Sequence, residues 1–380
     1  MKVILAIFLV SVLGACSTKD NSQPPASLTK IEEPIDINLL WSFDTRSGRN
    51  VAAYQYRPFV LDGQVYTIGS NGVIRNVNPE NGATNWRFES ELPAIVGLTG
   101  FDKTLIATSQ EGDVVSFKLD KNGPVELWKS RLSGEIRSLP VIDGNQIFIR
   151  TVDGRLTALN LLDGTEIWRA SGRVPSLSLT GNSRPVVSQK LVISGFDDGK
   201  LVAFDRNTGK TIWEITVSYP DGRTDIERLV DVDAPFVLAD GVLYANAYQG
   251  RLVAVQLRDG NVLWSREMSS FNEISFDQDA LYIIDDNSDL WSIDRRTGSA
   301  FWKQDALHAR KMTSPLLSDK FIVAGDLRGY LHWFRKSDGA ILGRIRPTDN
   351  RIFAMPTTWN QIIYTMDKNG FLSATRLAYK

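Results

Sequence analysis

The residue types that do chemistry most often are scarce in this chain, and their spacing is unhelpful to an enzyme. There is one cysteine, Cys16, and there are two histidines, His308 and His332, so neither an internal disulfide nor a Cys/His metal centre can be assembled. The densest group of carboxylates is Asp221, Asp225, Glu227, Asp231 and Asp233. It lacks the spacing and the central glycine of an EF-hand loop, and reads as solvated loop charges or partners for basic residues. No Gly-x-Ser-x-Gly elbow, phosphate loop or zincin helix occurs, and scattered carboxylates without positioned partners do not make an acid/base pair. The expectation is a protein with no catalytic residues, no metal and no cofactor.

Cys16 has a different use. Lys2, the apolar run Val3 to Val12 and then Leu13-Gly14-Ala15-Cys16 read as the charged, hydrophobic and cleavage regions of a secretory signal. The last four residues also resemble the lipobox of bacterial lipoproteins, which implies cleavage before Cys16 and acylation of it. Residues 1–15 are then the signal peptide. Residues 16–34, polar and carrying Pro24-Pro25, read as the lipidated cysteine followed by a flexible tether. Ser17 is not the aspartate that retains lipoproteins at the inner membrane, so the expected location is the outer membrane, facing the periplasm. The composition agrees with a folded body behind that anchor: 43% of residues are hydrophobic and 23% charged. With 43 basic against 44 acidic residues and no run of five like charges, there is no footprint for nucleic acid.

The elements that would position any site come from a repeat. Its clearest copy runs Asp240-Gly241-Val242-Leu243-Tyr244, Gly250 to Val255, then Asp259-Gly260-Asn261-Val262-Leu263-Trp264. Mid-repeat glycines fall at Gly72, Gly112, Gly154, Gly199, Gly250, Gly329 and Gly370, with Ser288 in one place. Closing tryptophans fall at Trp86, Trp128, Trp168, Trp213, Trp264 and Trp302, and Gly343 occupies the next tryptophan slot. Within a copy, apolar residues alternate as in strands, and Asp-Gly pairs supply the left-handed conformations of tight hairpins. One copy divides into strands at Arg137 to Ile142, Gln146 to Thr151, Arg155 to Leu161 and Glu166 to Ala170. Four strands at a mean period near 43 residues make a β-propeller blade. The fold class is therefore all-β, an eight-bladed propeller over 35–380. Its last copy has three strands, and Asp36 to Phe43, with Trp41, matches the missing fourth. The N-terminal strand would then close the ring and remove open sheet edges. A large ring at one blade position is read as wedge filler between blades, not as a ligand site.

The spacing from closing tryptophan to the next mid-repeat glycine is 26 residues for Trp86 to Gly112 and for Trp128 to Gly154. It rises to 31 for Trp168 to Gly199 and 37 for Trp213 to Gly250. Trp41 to Gly72 is also 31, so length alone does not single out one pair. Connections of this kind emerge on one face of a meander, so the insertions after the third and fourth blades form a raised rim, a usual place for binding.

The pattern Ala203-Phe204-Asp205-Arg206-Asn207-Thr208-Gly209-Lys210-Thr211-Ile212-Trp213 resembles the repeat of pyrroloquinoline-quinone dehydrogenases. Those enzymes also rely on a calcium-holding pocket, a catalytic aspartate and commonly an adjacent cysteine pair, and a chain whose sole cysteine is acylated cannot supply that pair. Eight such repeats behind a lipobox resemble the BamB family, propeller lipoproteins of the outer-membrane β-barrel assembly machinery. The resemblance spans essentially the whole chain and is most specific at Pro175 to Gly181 and Glu227 to Pro235. It implies a non-catalytic scaffold whose two loops dock on the periplasmic POTRA domains of BamA, and through it on the rest of the complex, with unfolded outer-membrane proteins a further candidate partner. By motif it assigns partner contacts to Leu177, Leu179, Asp231 and Asp233. Where the family often has arginine this chain has Thr180. Leu177 and Leu179 also alternate with serines, as a strand with one apolar face does. Competing readings are a propeller that binds another envelope protein or polymer, and a quinoprotein-like oxidoreductase, which would carry bound quinone.

Overall fold

The structure, a computed structural model, describes residues 23–32, 34–45, 57–69, 71–92, 95–172, 183–217, 235–247 and 250–378. These residues form eight four-stranded antiparallel sheets arranged as an eight-bladed propeller. Blades one to seven span Phe59–Glu89, Ile95–Arg131, Val141–Ser171, Val186–Thr216, Val237–Glu267, Ser275–Gln304 and Leu316–Ile345. Blade eight takes three strands from Thr357–Leu377 and its fourth from Ile37–Asp44, which pairs antiparallel with Phe371–Leu377. The ring is thus closed by the N-terminal strand, displaced by one residue from its expected limits.

Each blade is an up-and-down meander. In blade three, Gln146–Arg150 pairs with Arg155–Asn160, which pairs with Glu166–Ser171. The reversal between the first two uses Gly154 at φ 76°, the next uses Gly164 at φ 72°, conformations that cost a side-chain-bearing residue more. Middle strands bury both faces, as in Gln146–Arg150 and Arg155–Asn160, while the outer Glu166–Ser171 buries little beyond Trp168. First strands of neighbouring blades touch, which places them around the axis. The first strand of blade three is shorter than expected, Val141–Asp143 instead of Arg137 to Ile142. Pro140 has no N–H to donate and ends the ladder, leaving Ile136 to make an isolated bridge with Thr151.

The core is a ring of wedges. Trp213, Leu201 and Ile193 of blade four pack with Phe236, Leu243 and Val255 of blade five, and equivalent clusters fill each other interface. The tryptophan and glycine series lock these wedges. The Trp213 indole N–H donates to Leu257 O at 2.9 Å, Trp168 to Arg206 O at 2.7 Å and Trp302 to Lys336 O at 3.0 Å, each acceptor lying in the next blade. Rings of this series also lie against the turn glycine of the next blade: a Cβ built on Gly164 would sit 2.4 Å from Trp128, and one on Gly209 2.6 Å from Trp168. Gly343 stands opposite Trp333, and Ile35 and Ile37 occupy the space its missing ring would need.

Residues 23–32 do not hang free of the propeller, as a tether from 16 to 34 would. They run over blades six and seven, with Leu28 packed into the wedge between those blades.

Candidate functional site

Cys16, Leu177, Leu179, Asp231 and Asp233 lie outside the described residues, as do Thr180 and the rest of 173–182 and 218–234. What is described is the frame from which the two long connections spring. The first leaves the outer strand Glu166–Ser171 and returns to Val186–Val187; the second leaves Thr211–Thr216 and returns to Val237–Ala239. Both therefore join the fourth strand of one blade to the first strand of the next, on the same face of adjacent blades.

The departure points are firmly set. Gly172 N donates to Gly154 O at 2.7 Å, and a Cβ at Gly172 would fall 2.2 Å from the Phe196 ring, so only glycine lets the chain pass this close. Val217 N donates to Gly199 O at 2.8 Å, and Arg251 Nη2 donates to Val217 O at 3.3 Å. Below them lies a buried ion pair between blades three and four, Arg150 with Asp197, both nearly inaccessible to water. The Arg150 guanidinium stands over Phe196, 5.6 Å from its centroid. A pair so buried resists distortion, because drawing Arg150 away would leave the Asp197 carboxylate uncompensated where water does not reach.

A second charged group closes the floor toward the axis. Arg57, just before blade one, places Nη1 3.3 Å from Glu273 Oε1 at the start of blade six, and Arg184 at the start of blade four reaches Oε2 of the same carboxylate at 4.0 Å. Burial alone would raise the Glu273 pKa, yet Arg57 and Arg184 hold it below the ordinary carboxylate value. Burial, opposed by Glu273 and reinforced by Arg57, lowers that of Arg184. The carboxylate is thus committed to two guanidiniums and is not a base awaiting a proton. Among the described residues no three His, Cys, Asp or Glu side chains are grouped to hold a metal ion.

Sequence reasoning missed these groups. Arg57 and Arg184 each precede a proline that opens a first strand, and Glu273 takes the matching place in blade six. Aligning the repeats on the start of the first strand, which Ile274 precedes in blade six where Pro58 and Pro185 stand in the others, would have placed all three on the axis. Arg150 and Asp197 carry no such signal, since their pairing depends on how neighbouring blades abut.

A closed ring of eight blades, in which the fourth-to-first connections of two adjacent blades leave from one face, defines the eight-bladed class of β-propellers. Residues 70–304 match the family profile described as "Outer membrane protein assembly factor BamB". The chain is 34% identical over 378 residues to the protein of that name from Alkalilimnicola ehrlichii, covering 99% of this chain and 97% of the relative. The crystal structure of BamB from Moraxella catarrhalis superposes with a TM-score of 0.79 at 22% identity, over 90% of this chain and all of that one. Quinohemoprotein alcohol dehydrogenase from Comamonas testosteroni shares the fold, with a TM-score of 0.72, but only 13% identity over 91% of this chain and 78% of its own. This chain belongs to the BamB family of outer membrane protein assembly factors, and the family's role is that of an assembly factor and not of an enzyme.

Proposed function

We propose that this protein is a lipid-anchored scaffold of outer-membrane protein assembly. In this reading 1–15 is a removed signal peptide, Cys16 carries the lipid and holds the protein on the periplasmic side of the outer membrane, and the propeller docks on POTRA domains of BamA. The docking centre is the rim formed by 173–182 and 218–234, with Leu177 and Leu179 entering a partner pocket and Asp231 and Asp233 meeting basic or amide groups. The observation that carries the reading is the pair of fixed departure points at Gly172 and Val217, which send two long connections off one face of adjacent blades. Family membership supports the process, and the match of Pro175 to Gly181 and Glu227 to Pro235 to the family's docking loops supports the partner.

The test is binding of purified propeller to isolated POTRA domains. Asp231→Lys with Asp233→Lys should weaken binding roughly thirtyfold, the equivalent of about 2 kcal/mol at an interface centre. Leu177→Ser with Leu179→Ser should do the same with an unchanged melting temperature. Unchanged affinity in the charge-reversed protein, or a lowered melting temperature that accounts for the loss in the serine variant, removes these residues from the site.

A further inference from the structure

The segment ahead of the closing strand is held along its length by side chains that are themselves braced from below. Gln23 Oε1 lies 2.7 Å from His308 Nε2. Ala26 N donates to His308 O at 2.9 Å, and Arg310 Nη1 donates to Ala26 O at 2.9 Å. Arg344 Nη1 donates to Thr29 O at 3.2 Å, and Ile35 N donates to Leu342 O at 2.8 Å. Between these polar contacts Leu28 is set into the apolar wedge of Leu307, Met312 and Phe334.

The two arginines are aimed by a buried pair. Arg310 donates through Nε and Nη2 to Asp326 Oδ2 at 2.8 and 2.6 Å, and His332 Nε2 lies 3.0 Å from the same oxygen. Arg344 Nε donates to His332 Nδ1 at 3.3 Å. Arginine can only donate and the carboxylate can only accept, so His332 is the neutral tautomer with its proton on Nε2. Arg310, Asp326 and His332 are almost wholly buried.

Blade seven also lacks the tryptophan that locks most of its counterparts. Gly343 holds that slot, and a Cβ there would meet Ile37 at 2.6 Å and Ile35 at 2.8 Å. The seat is therefore cut for the segment twice over, by braced arginines that grip its carbonyls and by a glycine that admits its isoleucines.

We propose that residues 23–32, with Pro34 and Ile35 leading into the closing strand, act as a docked strap that fixes where the membrane tether leaves the propeller: above blades six and seven, on the face that bears the long connections. His308 belongs to the connection from the fourth strand of blade six, Ala300–Gln304, to the first of blade seven, Leu316–Ser318, the same kind of connection as 173–182 and 218–234. The inference rests on the lipidation of Cys16 proposed above. With the strap seated, six residues separate Cys16 from Gln23, a reach of at most about 25 Å; unseated back to Ile37, the reach grows to roughly 70 Å. The strap thus confines the propeller to the leaflet in a set orientation, which a free tether could not do.

Two measurements separate the strap from the anchor. In protein carrying Cys16→Ala, which needs no lipid, the Lys30–Ile31 bond should resist trypsin, while Leu28→Asp with Arg344→Gln should be cut there at least about tenfold faster, because cleavage follows the open population. A melting curve confirms that the propeller of the variant stays folded. Cleavage at Lys30 as fast in the unaltered strap as in the variant overturns the proposal. In the lipidated protein on phosphatidylethanolamine/phosphatidylglycerol vesicles, Cys16 is acylated, so Arg328→Cys offers a single site for a dye. Energy transfer from a membrane dye should be strong and should fall by at least half when Leu28→Asp and Arg344→Gln are added. Equal transfer in both overturns the strap, whereas failure of any of these proteins to bind vesicles overturns the anchor alone.

Discussion

If interblade docking depends on indole rings lying against turn backbone, two chemically identical substitutions should differ in a defined way. Gly164 and Gly241 have nearly the same conformation, φ 72° and 75°. A Cβ on Gly241 meets nothing within 4 Å, whereas one on Gly164 falls 2.4 Å from Trp128 Cε3 and 2.8 Å from Ser130 Oγ. Gly241→Ala therefore pays only for a left-handed alanine, about 1–2 kcal/mol. Gly164→Ala pays that and also displaces the indole, which costs about 1–3 kcal/mol more as overpacking and strains the Trp128 N–H bond to Leu161 O at 3.0 Å. Equilibrium unfolding in urea should place the Gly164→Ala midpoint well below that of Gly241→Ala, with loss of near-ultraviolet ellipticity from the displaced ring. Adding Trp128→Phe should return part of the difference, since the two sites are in contact and their effects should not add. Equal destabilisation by the two alanines, or strict additivity of Gly164→Ala with Trp128→Phe, would refute the docking argument.

Other consequences can be checked alongside. Trp213→Phe should cost about 1 kcal/mol for the hydrogen bond to Leu257 O, and Trp213→Ala about 3–5 kcal/mol for the emptied wedge, both read from unfolding midpoints. Asp197→Ala should cost about 1–3 kcal/mol for the charge-assisted bond that the buried Arg150 loses; an unchanged unfolding midpoint would show that water reaches the pair. Burial, together with Arg344 and Arg310 and against the pull of Asp326, lowers the His332 pKa from 6.5, so the unfolded chain takes up a proton there that the folded chain refuses. Stability from this group is complete above the unfolded value and falls as pH drops through it, by up to about 1.4 kcal/mol between pH 7.5 and 5.5. The same fall in His332→Gln would assign it to another group. Cys16→Ala should abolish lipid labelling and membrane attachment; retention after carbonate and salt washing would show a different main anchor.

How much of this was legible beforehand depended on whether a feature repeats or occurs once. Gly164, Gly209 and Gly260 announced tight turns, Trp128, Trp168 and Trp213 announced wedge contacts, and the spare strand read at Asp36 to Phe43 announced ring closure, because each is a local requirement imposed on every blade. Periodicity turns such local rules into a global fold with no knowledge of distant contacts, and it even marked the odd slot at Gly343. The candidate rim was legible as extra length between Trp168 and Gly199 and between Trp213 and Gly250, and its residues only by resemblance.

Tertiary structure alone decided what happens where unlike elements meet. Arg57, Arg184 and Glu273 come from three blades far apart in sequence and converge only because the ring closes on its axis. Arg150 finds Asp197 across one blade interface, and Arg310, Asp326, His332 and Arg344 turn a stretch that reads as polar tether into a seated strap. Beyond the repeat position that puts Arg57, Arg184 and Glu273 on the axis, no single-sequence pattern encodes these pairings, since a charge on a strand is equally suited to solvent or to a partner. Which it obtains is set by the geometry that brings the partner within about 3 Å and removes the water that would otherwise solvate it.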